Sequence, residues 1–157
     1  DAGVVSGTSA TTFSPAANVT RAQFVTMLAG LAGADVSNCP ATPFRDVPEG
    51  AWYAPYVNWA LANGIVSGTS AVTFSPDASI TRQDMAVMLY SYTQRFQVHL
   101  QQQPVKPFTD AGSIAAYAQI AVQTLQRAGV ISGMPDGSFQ PYGTATREQA
   151  CTMLCML

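Results

Sequence analysis

One short pattern is written three times in this chain, and it limits the fold more than any other feature. It reads Gly3-Val4-Val5-Ser6-Gly7, then Phe13-Ser14-Pro15, then Thr20-Arg21. It returns as Gly64-Ile65-Val66-Ser67-Gly68, Phe74-Ser75-Pro76 and Thr81-Arg82. The third copy is Gly129-Val130-Ile131-Ser132-Gly133, Phe139-Gln140-Pro141 and Thr146-Arg147. The arginines stand 61 and 65 residues apart. Such a period means copies of one supersecondary unit, none of which can bury its apolar face alone. Function is therefore expected in what three similar units build together.

Each Thr-Arg pair is predicted to open a helix. A threonine hydroxyl at the N-cap can accept a hydrogen bond from an orphan first-turn amide. Three residues on stand Gln23, Asp84 and Gln149, so the first and third copies match a capping box. Val19 with Phe24 and Ile80 with Met85 are candidate staples across the helix start, and Ala145 with Ala150 is a weaker one. The helix faces repeat too: Phe24, Met27, Leu28 and Leu31; Met85, Met88, Leu89 and Tyr92; Ala150, Met153, Leu154 and Leu157. All follow the spacing of one buried stripe. The Met-rich stripes are core rather than a cofactor box. Three stripes at equivalent positions are best buried against one another, which predicts a central three-helix bundle with approximate threefold symmetry.

A second helix type precedes the Gly motif. It is predicted over Trp52 to Asn63 and over Ser113 to Ala128, with Gly64 and Gly129 placed where a left-handed residue ends a helix. Gly3 holds the same place in the first copy, but only Asp1 and Ala2 could belong to a helix before it. The organisation expected is one domain over 1–157. Its repeats are 1–32 (truncated), 44–96 and 108–157, and its linkers are 33–43 and 97–107, of which the Gln- and Pro-containing second is expected to be the more mobile. The chain opens in mid-repeat and shows no signal peptide, so it reads as a fragment or a processed form.

Composition narrows the function classes. A net charge of −2, with 10% charged residues, provides no basic field, which argues against nucleic-acid binding. No apolar run approaches a membrane span. Three cysteines leave at least one without an intrachain partner, and Cys151 and Cys155 are awkwardly spaced for a disulfide. A zinc site would need a fourth ligand beyond Cys39, Cys151 and Cys155, and the single histidine, His99, lies in a Gln-rich linker. No metal and no cofactor are expected. A glycosidase is disfavoured: it needs two placed carboxylates, one with a raised pKa, and the glutamates are only Glu49 and Glu148. A Ser or Cys nucleophile would need a base that His99 is badly placed to supply.

The order Phe-x-Asp, a Trp-Tyr helix, Gly-hydrophobic-hydrophobic-x-Gly, Phe-x-Pro and Thr-Arg resembles the S-layer homology (SLH) domain. The fullest copy runs from Phe44-Arg45-Asp46 to Thr81-Arg82. The third runs from Phe108-Thr109-Asp110 to Thr146-Arg147, and the first matches only from Gly3 onward. The resemblance implies an all-α, pseudo-threefold, three-pronged spindle around a central three-helix bundle. It also implies secretion to the cell surface, attachment to a secondary cell-wall polymer, often one bearing pyruvylated amino sugars, and binding grooves between neighbouring prongs. Carried over residue by residue, the groove candidates are Arg21, Arg82, Arg147, Asp46 and Asp110.

Chemistry agrees with those assignments. A guanidinium can hold a ketal carboxylate through two parallel bonds, and a first-turn arginine stands beside the positive end of a helix. Gly7, Gly68 and Gly133 allow close backbone approach of a ligand. Trp52 can cover a sugar ring, or it can be core, as Trp59 is expected to be. Structural alternatives stay open for the rest: the arginines could pair with Asp or cap prong helices, and Asp46 and Asp110 could cap the first helix of their repeats.

Two departures bear on the grooves. The third copy has Gly112-Ser113-Ile114 where the second has Gly50-Ala51-Trp52, so its groove lacks that tryptophan. The first copy lacks Phe-x-Asp and the first helix. Its groove is incomplete unless another molecule supplies the missing prong, and an apolar patch left bare there would suit self-association. The leading expectation is a non-catalytic glycopolymer-binding module that tethers a larger exported protein. The alternative is a protein-interaction or self-assembly scaffold with the same fold and no glycan site.

Overall fold

The computed structural model describes residues 17–37 and 39–156. Gly3, Gly7, Phe13 and Leu157, which carry parts of the expected first repeat and third stripe, lie outside them. The described residues form five α-helices: α1 (Arg21–Ala32), α2 (Ala54–Ala62), α3 (Arg82–Arg95), α4 (Gln119–Arg127) and α5 (Arg147–Cys155). They contain no strand, only three isolated bridges. None of the helices is long and apolar enough to cross a membrane.

The three Thr-Arg pairs open α1, α3 and α5. Thr20, Thr81 and Thr146 are extended N-caps, and their hydroxyls accept from the amides of Gln23, Asp84 and Gln149 at 3.1–3.2 Å. Gln23 and Gln149 return the bond to the cap amide at 3.0 Å, closing both expected capping boxes. All three staple pairs are completely buried, including the small Ala145 and Ala150.

The residues just before the caps meet on one axis. The Val19 amide donates to the Ala145 carbonyl at 3.0 Å, the Ala145 amide to Ile80 at 3.0 Å, and the Ile80 amide to Val19 at 2.8 Å. These three bonds form a closed triangle, one edge per pair of repeats. A second ring surrounds it. The Arg21 amide donates to Ala78, Arg82 to Gly143 and Arg147 to Ala17, at 2.8–2.9 Å. First-turn amides that a helix leaves without partners are thus satisfied by the neighbouring repeat. From this hub the stripes of α1, α3 and α5 run inward, with Phe24, Leu28, Met85, Leu89, Ala150 and Leu154 all buried.

The prongs are made across repeats. Helix α2 of the second copy packs on α1 of the first, and α4 of the third packs on α3 of the second. Helix α2 starts later than the sequence predicts, at Ala54, with Pro55 in its first turn, where a missing amide costs nothing. The third copy departs further. Its predicted helix from Ser113 is a 3₁₀ turn at Ala111–Ser113, extended backbone at Ile114 and Ala115, a second 3₁₀ turn at Ala116–Ala118, and only then α4. The break has local causes. The Gln83 side chain accepts the Ala115 amide, the Gln119 side chain donates to the carbonyls of Ala111 and Ile114, and Ile114 turns into the core. The linker expected to be mobile is tied to α4: the Gln103 amide donates to Arg127, the Gln102 side chain to Thr124, and the Gln126 side chain to Lys106.

The triangle predicts the effect of removing one edge. Ala145→Pro deletes one amide and leaves the buried Ile80 carbonyl unpaired, a cost of about 1–3 kcal/mol. Urea unfolding should show that loss in a single shifted transition, because each edge joins two repeats. A small shift confined to the third repeat would show that the triangle does not couple them.

Candidate functional site

Asp46 and Asp110 work at the Phe-x-Pro turns. The Asp46 carboxylate accepts the amides of Phe74 and Ser75 at 2.9 and 2.8 Å, and Asp110 accepts those of Phe139 and Gln140 at 2.8 and 2.9 Å. Each turn needs such a clasp. Ser75 and Gln140, the middle residues, hold left-handed backbone at φ 59° and 58°, which strains a side-chain-bearing residue. The capping alternative is therefore corrected: neither aspartate caps a helix through its side chain. In both, the two carboxylate oxygens are already engaged within the repeat.

The arginines lock onto the same turns from the preceding repeat. Arg21 Nε donates to the Phe74 carbonyl at 2.8 Å, and its guanidinium lies 4.9 Å from the Phe74 ring centre. Arg82 does the same to Phe139, at 2.7 and 5.1 Å. Burial pulls both arginines below their usual pKa. Asp84 chiefly opposes this at Arg21, and Asp110 opposes it at Arg82. Arg147, at the equivalent place in the third helix, is buried as well. Arg21 and Arg82 thus hold structural roles through Nε, and both border the clefts beyond.

The motif glycines serve the same frame. Gly68 and Gly133 have φ of 88° and 78°, and a Cβ there would meet the ring of Phe44 or Phe108 at 2.6 or 2.5 Å as well as backbone carbonyls. The space over each glycine is filled by the Phe of Phe-x-Asp, so the fold itself requires the glycine while its backbone borders a cleft.

Two equivalent clefts follow. The first, of about 500 Å³, is bordered by Arg21 of the first repeat, by Gly64 to Thr69 and the outer side of α3 from the second, and by Tyr117 of the third. Asp84 stands in it. Its Oδ2 accepts from Arg21 Nη1 at 3.1 Å and its Oδ1 from the Tyr117 hydroxyl at 2.6 Å. The second cleft, of about 150 Å³, has Arg82, Val130 to Met134, Glu148, Gln149, Thr152 and Met153 in matching positions. Gln149 replaces Asp84 there, and no described aromatic residue replaces Tyr117.

Of the residues singled out in the sequence, the structure brings Arg21 together with Gly68, and Arg82 with Gly133. Asp46 and Asp110 stand behind the turns, and Trp52 borders neither cleft. Trp52 is 59% exposed and rests edge-on against Tyr53, whereas Trp59 is core, as expected. The third copy does carry an aromatic residue in place of Trp52, although it lines the Arg21 cleft rather than the cleft of its own Gly motif. Counted back from the helix, one residue is inserted, and Tyr117 occupies the register of Trp52. Sequence reasoning missed Asp84 and Tyr117. The signal for Asp84 was its break in the capping box, and for Tyr117 a count from Gly129 rather than from Asp110. Exposed Tyr142 lies close enough to Tyr117 for their charges to interact. The three cysteines are unlinked, and no cluster of His, Cys, Asp or Glu among the described residues could hold a metal.

Tyr117 carries a pH signature. Partial desolvation of its hydroxyl, followed by donation to Asp84, pushes its pKa up to about 12. A raised tyrosine stabilises the fold while neutral. The stability is complete below the unfolded value near 10 and is lost as pH climbs to about 12. Burial also raises Tyr53 and Tyr92, so ultraviolet titration should show several tyrosines ionising late, with the one near pH 12 absent from Tyr117→Phe. An unchanged titration curve in that variant would contradict the Asp84 bond.

The comparisons with known proteins agree with this geometry. The model of the S-layer homology domain matches residues 1–25, 43–86 and 107–151. An endoglucanase of Bacillus sp. (strain KSM-635) is 38% identical over 98% of this chain and 16% of its own length. A cellulosome-anchoring protein of Acetivibrio thermocellus is 30% identical over 90% of the chain and 32% of its length. The S-layer protein EA1 of Bacillus anthracis is 30% identical over 82% and 15%. The chain therefore spans less than a third of these relatives. On the three matched segments, and on a threefold hub that joins them, this chain belongs to the S-layer homology domain family.

Proposed function

We propose that this domain holds a carrier protein at the cell wall by binding a wall glycan, of the pyruvylated amino-sugar type, in its inter-repeat clefts. Family membership makes it a cell-surface anchoring module; the glycan and the residues that grip it are the proposal. The observation that carries it is the repetition of one cleft design, a buried arginine of one repeat facing the Gly motif and helix start of the next. A buried cation opening onto a cleft suits a carboxylate or a row of hydroxyls. Tyr117 and Tyr142 offer exposed ring faces for a sugar. Two clefts on one polymer gain by effective concentration, so each can be weak.

The role is non-catalytic. Asp46 is committed to two backbone amides, and Glu49 is not brought into either cleft. The endoglucanase relative matches over 16% of its length, which suits a shared anchoring segment.

Sedimentation with purified pyruvylated wall polymer tests the reading. The native domain should co-sediment, and Tyr117→Ala combined with Arg82→Lys should lower retention about tenfold or more while circular dichroism stays unchanged. Full retention by that variant would remove the clefts from the binding role.

One observation favours the scaffold reading alongside it. On α1 the face of Ala22, Val25 and Ala29 is buried where α2 packs. The equivalent face of α5 shows Glu148 and Cys155 exposed and Cys151 half-buried, with no described helix packed on it. Self-association through that face should appear as a dimer in analytical ultracentrifugation under reducing conditions and disappear in Cys151→Glu. A monomer at high concentration would exclude it.

A further inference from the structure

We infer that Asp84 divides the two clefts by charge, so that the Arg82 cleft takes the carboxylate-bearing sugar and the Arg21 cleft takes a neutral one. This rests on the glycan-binding reading above and assigns each cleft its ligand class.

The two clefts share one frame. Each has an arginine clamped to a Phe carbonyl, an aspartate behind it at the same turn, a Gly motif and the first turns of a Thr-capped helix. They differ at the third residue after the cap. Gln149 is long enough to reach back, and its Oε1 accepts the Thr146 amide at 3.0 Å, so it stays at its own helix start. Asp84 is one methylene shorter and makes no such return bond. Its carboxylate points into the cleft, where Arg21 and Tyr117 take one oxygen each.

The consequence is electrostatic. Arg21 has Nε on the Phe74 carbonyl and Nη1 on Asp84, so its charge is already matched. A ligand carboxylate entering there would meet a second carboxylate at the same cation, and like charges at one site repel. A neutral sugar meets no such penalty. It finds in this cleft an acceptor, a hydroxyl and a ring face.

Arg82 is different. Its guanidinium is bonded through Nε to Phe139, and among the described residues no carboxylate lies within ion-pair reach of it. Glu148 borders this cleft, but it is solvent-exposed and forms no ion pair with Arg82. Asp110 is held by two amides behind the turn, as Asp46 is in the other cleft, so that background is common to both. Of the two clefts, the Arg82 cleft is the one bordered by a buried cation, 3% exposed, with no ion pair among the described residues.

The probes are the methyl glycoside of a pyruvylated N-acetyl amino sugar and its neutral methyl ester, titrated calorimetrically against the whole chain. The acid should occupy one site with an affinity about tenfold or more above the ester's. Asp84→Asn should raise the number of acid-preferring sites from one to two, a gain that misfolding cannot imitate. Arg82→Lys, which keeps the charge and loses the fork, should reduce the preference at the first site and leave the site gained by Asp84→Asn intact. Two equal acid sites in the native chain, or one site persisting in Asp84→Asn, would overturn the division while leaving glycan binding in place. No binding of either probe to any of these proteins would overturn the glycan reading and the division with it.

Discussion

Three buried amides, those of Val19, Ile80 and Ala145, each donate to a carbonyl of another repeat, and everything else hangs from that closed triangle. A linear ladder could slip or fray at an end. A triangle has no end, and each edge fixes the height at which one helix starts relative to the next. The threonine caps follow one residue later, so all three helices leave the axis in the same register. The apolar stripes meet because their starting points are aligned. Burial of those stripes supplies the bulk of the stabilisation, and the hydrogen bonds supply the alignment. The hub also explains why a chain with so few charges can be specific: its register is set by backbone groups that must be paired when buried.

Around the hub, the motif residues read as one clamp. Phe-x-Asp supplies the ring that closes over the motif glycine and the carboxylate that holds a left-handed turn. Thr-Arg supplies the cap and the guanidinium that grips the same turn from the previous repeat. A carboxylate on the amides and a cation on the carbonyl polarise one peptide segment in the same sense, and each strengthens the other's bond. The arginine is thus structural at Nε, and its outer nitrogens are the part of it that the proposed ligand would use. Substituting it by alanine would remove both, whereas Asp84 and Tyr117 border the cleft without gripping the Phe-x-Pro turn.

Much of this was legible locally. Caps, capping boxes, staples and stripes depend on spacings of three to seven residues; the caps, boxes and staples stand where the sequence places them, and the stripes do so through Leu28, Tyr92 and Leu154. What could not be read was pairing across repeats. Arg21 meets Phe74 at a separation of 53 residues, and nothing in a periodic sequence says whether a loop is gripped by its own arginine or by the previous one. The start of α4 was misplaced because apolar spacing continues through Ile114 and Tyr117, while side-chain bonds from Gln83 and Gln119 break the helix there. That error hid the equivalence of Tyr117 and Trp52. Asp84 was passed over because a capping-box position reads as a local feature; only the shortness of its side chain sends it across the cleft.

The larger cleft draws on all three repeats: Arg21 from the first, the Gly motif and α3 from the second, Tyr117 from the third. Such a site exists only while the hub is closed. A ligand that bridges these walls binds the assembled form and not the unfolded chain, so occupancy adds to stability by mass action. For an anchor this coupling has mechanical sense. Pulling a repeat away from the hub must also dismantle the cleft proposed to hold the polymer, and on that reading the grip resists the same displacement that the fold resists.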